Sequence, residues 1–229
     1  MRLAELFYSI QGEGKLAGVP SIFIRASGCN LRCVWCDTPY ASWNPEGADV
    51  PIPEIIDRVR EHPAKHVVLT GGEPLIMPDA APLCSALREL GYHITVETAA
   101  TVFNDLAIDL ASLSPKLSNS TPDPSQHPAL AQSHERQRLR PDVIQRFIDT
   151  APDFQIKFVV ADPSDLAEIS SLLALVKNWR SADVLLMPEG TDAQTLANRS
   201  AWIAQACQQT GYRYCPRLHI QLYGNRHGT

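Results

Sequence analysis

Three cysteines fall within eight residues of this chain, in Cys29-Asn30-Leu31-Arg32-Cys33-Val34-Trp35-Cys36, and Asp37 and Thr38 follow directly. Thiolates are soft ligands suited to iron–sulfur clusters and zinc. Three of them leave a four-coordinate metal one open position, where a substrate can bind and react. A closed zinc site needs a fourth soft ligand, yet after Cys36 no Cys or His occurs before His62. Disulfides use thiols in pairs, so a trio is odd for them too. The spacing points to a metal centre with a free position; a partial zinc site or three neighbouring buried thiols are the plainer alternatives.

A second unusual segment is Ser9-Ile10-Gln11-Gly12-Glu13-Gly14, a polar pair set between glycines. Glycine permits positive φ and close approach of the backbone to a ligand, although two glycines alone also make an ordinary turn. A third is Thr70-Gly71-Gly72-Glu73-Pro74, directly after an apolar run.

These segments must be positioned by regular elements. Ser21 to Ala26 reads as the first strand, ending at Gly28 just before the thiols, with Arg25 near its end. Pro51 to Glu61 has apolar residues at 52, 55, 56 and 59, a helical spacing. His66 to Thr70 is an apolar run of the kind found in buried parallel strands. Asp79 to Leu90, closed by Gly91, predicts a helix, and His93 to Thr98 a strand. Leu106 to Ala111 reads as another strand, and Leu117 to Arg140, with Pro122, Pro124 and Pro128, as a long irregular connection. Phe154 to Val160 is a strand, Ser164 to Lys177 a helix, Asp183 to Met187 a strand and Thr191 to Thr210 a helix ended by Gly211. Arg217 to Tyr223 reads as the last strand, with Arg217 and His219 on one face.

Alternating β and α elements imply parallel strands joined by right-handed crossovers. About seven strands with fewer helices fall short of the eight units of a closed barrel, so the expected fold is α/β, an open partial β/α barrel of mostly parallel strands. Each distinctive segment then falls at a C-terminal strand end, where such sheets collect ligands. The expected organisation is one domain over 1–229, with an N-terminal substrate-binding segment at 1–28, a cluster loop at 29–38 and an irregular loop at 117–140.

Composition limits the function. The 229 residues are 45% hydrophobic and carry 20 basic against 25 acidic side chains, a net charge of −5. Arg136, Arg138 and Arg140 are the one concentration of positive charge, which offers a nucleic acid little. No apolar stretch approaches membrane-spanning length, and Glu5 interrupts the segment where a secretory signal would be apolar, so a cytoplasmic protein is expected. Six cysteines then remain as thiols, with Cys84 and Cys207 in apolar helical patterns as small hydrophobes.

The Cys-x3-Cys-x2-Cys loop and Gly-Gly-Glu-Pro resemble the signatures of the radical S-adenosylmethionine (SAM) enzymes. A closer resemblance, to the 7-carboxy-7-deazaguanine synthases, runs through Ser9 to Gly14, Phe23-Ile24-Arg25, Trp35 to Thr38, Thr70 to Pro74, Val96-Glu97-Thr98, Ser114-Pro115-Lys116 and Gln155 to Val160. It implies a lyase that turns 6-carboxy-5,6,7,8-tetrahydropterin into 7-carboxy-7-deazaguanine with loss of ammonia, in the 7-deazapurine and queuosine pathway. By that resemblance Cys29, Cys33 and Cys36 hold three irons of a 4Fe-4S cluster, and the fourth iron takes SAM, whose cleavage releases a 5′-deoxyadenosyl radical. Ile10, Gln11, Gly12, Glu13 and Thr70 line the pterin, and Arg25 grips its carboxylate. Trp35, Cys36, Asp37, Gly72, Glu73, Ser114, Pro115 and Lys116 contact SAM, with Glu97 a further hydroxyl acceptor or a rim salt bridge. Thr38 binds Mg2+, although by residue type alone it is a turn residue before Pro39. A flavodoxin or ferredoxin as electron donor and a homodimer are also implied.

The chain departs from the family at Ala99-Ala100, where Asn-Gly often stands, and in the proline-rich loop before Arg140. Two other functions share parts of the pattern: a radical SAM activase acting on a protein partner, and a non-catalytic metal- or tRNA-binding module. Gln11, Glu13 and Arg25 favour a small molecule over the first, and the acidic balance disfavours RNA.

Overall fold

Residues with period-2 alternation of apolar and polar side chains build the centre of a nine-stranded sheet in the computed structural model, which describes residues 1–229. The strands are β1 (Arg2–Ile10), β2 (Pro20–Ala26), β3 (Ala48–Asp49), β4 (His66–Gly71), β5 (His93–Thr98), β6 (Leu110–Leu113), β7 (Asp153–Val160), β8 (Val184–Pro188) and β9 (Arg213–Tyr214). Their order across the sheet is β3-β1-β2-β4-β5-β6-β7-β8-β9. β1 is antiparallel to β2 and β3, and from β2 onward every pairing is parallel. The edges β3 and β9 do not pair, so the barrel stays open.

The helices are α1 (Pro39–Ser42), α2 (Ile52–Arg60), α3 (Ala80–Glu89), α4 (Pro128–Gln137), α5 (Pro141–Thr150), α6 (Asp165–Leu173), α7 (Ala193–Thr210) and α8 (Leu218–Tyr223). Ile22 and Ile24, Val67 and Leu69, Ile94 and Val96, and Ile156, Phe158 and Val160 join one core cluster with Ile55, Leu83, Phe147, Ile169 and Ile203 from the helices. The intervening strand residues point the other way. Arg25 is level with Thr70, Glu97 with Ser112, and Ser112 with Gln155, so a polar row crosses the inner face.

Several expectations are corrected. Ser21 to Ala26 lies in the second strand, not the first, because β1 precedes it. β1 is largely half-exposed, with Leu3 its one buried residue, and Glu5 and Ser9 interrupt its apolar residues. The strand expected at Leu106 to Ala111 begins only at Leu110, because Asp109 turns its carboxylate back onto the Ile94 N–H at 2.8 Å. Leu117 to Arg140 is not irregular throughout, since it contains α4. Pro128 opens that helix, at a position where its missing N–H breaks no helical hydrogen bond. α5 also follows unannounced, with Val143, Ile144, Phe147 and Ile148 on its buried stripe. The helix expected over Ser164 to Lys177 ends at Leu173.

The last strand is a helix. Leu218, Ile220 and Leu222 alternate as in a strand, but only Ile220 is buried and Leu222 is 54% exposed. The Gln221 N–H returns to the Arg217 carbonyl at 3.2 Å, and the Leu218 N–H is taken by Gly12 at 2.9 Å. Arg217 and His219 therefore do not share a strand face. No helix is long and apolar enough to cross a membrane.

At the N-terminal end of the parallel strands, His66 is 5% exposed and its ring nitrogens bond to Ser21 Oγ at 2.7 Å and Thr95 Oγ1 at 2.8 Å. Burial, with a smaller contribution from His93, pushes its pKa down to about 4. The unfolded chain takes up that proton first, so this residue's contribution lowers stability as pH falls from the ordinary histidine value to about 4 and levels off below. NMR titration of the His66 ring is expected to show a midpoint near 4, with the urea midpoint of unfolding declining across the same window. A midpoint at the ordinary histidine value would contradict this environment.

Candidate active site

A cavity of about 380 Å³ opens at the C-terminal ends of the parallel strands. The inner face supplies Arg25, Thr70, Glu97, Ser114, Lys157 and Met187 to its wall. All six residues named for the pterin, Ile10, Gln11, Gly12, Glu13, Arg25 and Thr70, line it. So do Trp35, Asp37, Thr38, Gly72, Ser114 and Lys116 from the SAM and Mg2+ sets.

Glu13 is the most heavily engaged charge. It bonds to Lys157, lies 3.2 Å from Arg217 Nε and stands 4.0 Å from His219. Burial opposes its ionisation, but the Lys157 ammonium and Arg217 guanidinium outweigh burial and hold the carboxyl far below the usual carboxylate range. Arg217 also pairs with Asp37 and donates to the Gly190 carbonyl at 2.6 Å. The cluster loop, the Gln-Gly-Glu-Gly segment and the residues before α8 thus meet at one guanidinium.

A second network links the remaining polar residues. Gln11 Nε2 donates to Glu97 at 3.1 Å, Thr70 Oγ1 donates to the other Glu97 oxygen at 2.9 Å, and the Glu13 N–H donates to Gln11 Oε1 at 3.2 Å. Glu97 therefore braces Gln11 and Thr70 and makes no salt bridge. Arg25 Nε donates to Glu5 at 2.6 Å, and Glu5 also accepts from the Tyr40 hydroxyl at 2.6 Å. Only Nε of Arg25 is engaged by the protein, so both Nη groups remain for a ligand at the cavity wall.

The three thiols gather beside the cavity, Cys33 buried with Leu31 and Ala99 while Cys29 and Cys36 pack half-buried against them. Burial pushes Cys29 up to about 11 and Cys33 up to about 12, so deprotonation there calls for a cationic partner. No three Cys, His, Asp or Glu side chains converge on a point that would hold a single metal ion. An all-sulfur donor set without a fourth protein ligand fits a cluster whose irons each take one thiolate. Thr38 Oγ1 is 3.8 Å from Cys36 Sγ.

The glycines play a part their sequence did not reveal. A Cβ on Gly72 would overlap the Gly28 carbonyl and approach that of Ala41, and one on Gly71, at φ 138°, would overlap the Ala26 carbonyl. The Gly-Gly pair clasps the end of β4 to the start of the cluster loop, and the Glu73 N–H donates to the Gly28 carbonyl at 2.9 Å. Gly12 and Gly14 leave room in the same way for His219 and Gln155. Glu73 is fully buried beneath the cavity, its carboxylate accepting from Thr98 Oγ1 at 2.8 Å, Ala99 N at 2.9 Å and Leu75 N at 3.1 Å. Pro115 likewise does not line the cavity, whereas Ser114 accepts from Lys116 Nζ at 2.8 Å.

Comparison with known proteins places this chain in a family. A model of the radical SAM superfamily matches residues 23–123. A 7-carboxy-7-deazaguanine synthase of Halobacterium salinarum is 49% identical over 96% of this chain and 90% of its own. One of Rhodopirellula baltica is 46% identical over 99% of this chain and 88% of its own. The chain belongs to the 7-carboxy-7-deazaguanine synthase family. The crystal structure of QueE from Escherichia coli, at 24% identity, superposes with a TM-score of 0.70 over 95% of this chain and 94% of that one, a likeness of fold. As radical SAM proteins, members of the synthase family use a 4Fe-4S cluster and SAM.

Lys157, Tyr40, Asn225, Arg226, His227 and Thr229 also contribute to the cavity wall, as do Arg217 and His219, without a sequence motif that marks them. Lys157 was within reach, since Gln155, Lys157 and Val159 alternate against Ile156, Phe158 and Val160 and so face inward. Tyr40 and the C-terminal residues had no local signal, because His227 reaches Tyr40 only by stacking at 4.0 Å across the fold.

Arg217→Met leaves Asp37 without its cation and Glu13 with Lys157 alone. Urea denaturation is expected to show a loss of about 3 kcal/mol or more, in the range for breaking one side of a buried ion pair. Adding Glu13→Gln and Asp37→Asn is expected to restore part of it. A loss below about 1 kcal/mol, as for exposed pairs, would contradict the buried network.

Proposed function

We propose that this chain converts 6-carboxy-5,6,7,8-tetrahydropterin to 7-carboxy-7-deazaguanine with release of ammonia. The observation that carries the reading is the pairing, across one cavity, of an arginine with both Nη groups free and a polar wall built from Gln11, Glu13 and Thr70. An arginine fork fits a carboxylate. A glutamate kept ionised accepts from the N–H groups of a pterin edge, and Gln11 offers both a donor and an acceptor. An analogue lacking those groups would leave buried partners unpaired and be rejected.

Cys29, Cys33 and Cys36 would hold the cluster, and Trp35, Asp37, Gly72, Ser114 and Lys116 would contact SAM beside it. When bound, the cluster and SAM would together supply a 5′-deoxyadenosyl radical able to abstract a hydrogen from the pterin held against Arg25, Gln11 and Glu13. Glu73 and Pro115 act from behind, Glu73 by fixing Thr98 and Ala99. The Thr38 hydroxyl is a hard oxygen donor on the cavity wall and would hold Mg2+ there, which would help to bind the substrate carboxylate. A small electron-transfer protein such as a flavodoxin or ferredoxin would reduce the cluster. The same reading takes the protein to be a homodimer and to work in a reducing compartment such as the cytoplasm, where its six thiols would stay free.

Anaerobic protein supplied with SAM, reductant, Mg2+ and the carboxypterin is expected to form 7-carboxy-7-deazaguanine, detected by mass spectrometry. Cys33→Ala should abolish both product and 5′-deoxyadenosine. Arg25→Gln should retain the cluster yet raise KM by about 10- to 100-fold, the worth of a charged hydrogen bond. 5′-Deoxyadenosine without the deazaguanine would leave the radical SAM assignment intact and overturn the substrate.

A further inference from the structure

The stretch between Lys116 and Pro141 contributes nothing to the substrate cavity and instead wraps the loop that carries the thiols. Within it a short turn, Ser118–Ser120, is tied to the scaffold. Asn119 Nδ2 donates to Asp165 Oδ2 at 2.8 Å, and Ser118 Oγ donates to Glu168 at 2.7 Å. From this turn the Ser120 carbonyl accepts the Val34 N–H at 2.8 Å, and the Asn119 carbonyl accepts Trp35 Nε1 at 2.9 Å. α4 adds Gln137, 3.3 Å from Asn30 Nδ2.

His134 of α4 completes the wrap and is 1% exposed. Its Nδ1 lies 3.1 Å from the Arg32 backbone nitrogen, and its Nε2 lies 2.9 Å from Ser120 Oγ. Ser120 donates its hydroxyl hydrogen to the Leu117 carbonyl at 2.6 Å, so its oxygen accepts from His134 Nε2–H. That assignment leaves the Nδ1 lone pair to accept the Arg32 N–H. The ring relays the position of a fixed turn to the peptide midway between Cys29 and Cys33. One residue earlier, the Leu31 N–H donates to Cys29 Sγ at 3.3 Å, so rotation of this stretch of backbone would alter a hydrogen bond to a cluster sulfur.

We infer that His134 is a positioning residue of the cluster loop, holding the Cys29–Cys33 backbone in the geometry in which the three thiolates retain iron. The inference rests on the cluster assignment above. Supporting partners behind metal ligands typically change metal retention by tenfold or more when removed.

The two ring nitrogens can be tested separately. His134→Asn places an amide oxygen where Nδ1 stood and keeps an acceptor for Arg32, whereas His134→Gln reaches Ser120 and leaves the Arg32 N–H unpartnered. Reconstituted anaerobically, His134→Gln is expected to lose iron to a ferrous chelator about tenfold faster than the parent and to show a shifted EPR spectrum of the reduced cluster. His134→Asn should stay within about twofold of the parent in iron loss and keep its spectrum, although it lacks the Ser120 bond. Iron retention by His134→Gln equal to the parent would overturn the inference, as would equal loss from both variants. If His134→Gln does not fold, Ser120→Ala removes the acceptor that keeps the ring proton on Nε2. The imidazole is then free to turn or to carry its proton on Nδ1, and the Arg32 N–H loses its acceptor. The asparagine variant escapes this loss because its amide oxygen can only accept. Ser120→Ala should lose iron at least about threefold faster, and no change would be equally fatal. A parent protein that assembles no cluster would overturn the cluster assignment and this inference together.

Discussion

The ion cluster around Glu13 is the constraint on which the rest of the site depends. It joins residues 13, 37, 157 and 217, which come from the segment after β1, the cluster loop, the inner face of β7 and the turn into α8. Taking such charges out of water is costly unless each is paired and hydrogen-bonded. Here Glu13 has two cations, Arg217 has two carboxylates and a carbonyl, and no buried side-chain nitrogen or oxygen lacks a partner. The network is satisfied only when all four segments are in place. Binding residues far apart in sequence are thereby held in one connected network.

An open barrel also has to close its interior without closing its sheet. β3 and β9 are the edges of the sheet and do not pair with each other, so a strand ladder cannot do it. The residues after β9 return to the Gln11–Gly14 segment instead. Leu218 N–H donates to the Gly12 carbonyl, Gly14 N–H contacts Cys215 Sγ at 3.1 Å, and His219 fills the space a side chain at position 12 would need. Glycine at 12 and 14 serves this internal packing. Gly12 meets this packing on one side and borders the cavity on the other.

Much of the architecture was legible because it is local. Strand runs such as Val67 to Leu69 and Ile156 to Val160, the helices at Ile52–Arg60 and Ala193–Thr210, and the spacing of the three thiols declare themselves within a few residues. What stayed hidden is non-local. β1 is a strand because β2 pairs with it, since its own residues are half-exposed. Leu218 to Tyr223 has strand-like alternation, yet Gly12 takes the first N–H and the segment turns into a helix. The cysteines and Arg25 stood out by type and position, whereas Arg217 acquires meaning only from carboxylates at 13 and 37.

The cluster loop has little regular structure between β2 and α1, so its rigidity has to be imported. The Gly-Gly-Glu-Pro clasp holds Gly28 from below, and the Gly28 N–H donates to the Ala41 carbonyl at 2.8 Å. Trp43 Nε1 takes the Cys33 carbonyl at 2.9 Å, while the Arg32 guanidinium folds back on the carbonyls of Cys29 and Leu31 at 2.8 and 2.7 Å. The wrap from Asn119 to Gln137 supplies the opposite side. A sequence change in any one support reaches the thiols through backbone hydrogen bonds, although it touches neither substrate nor metal. Residues distant from the thiols in sequence therefore fix the path of this loop as directly as the cysteines' own neighbours do.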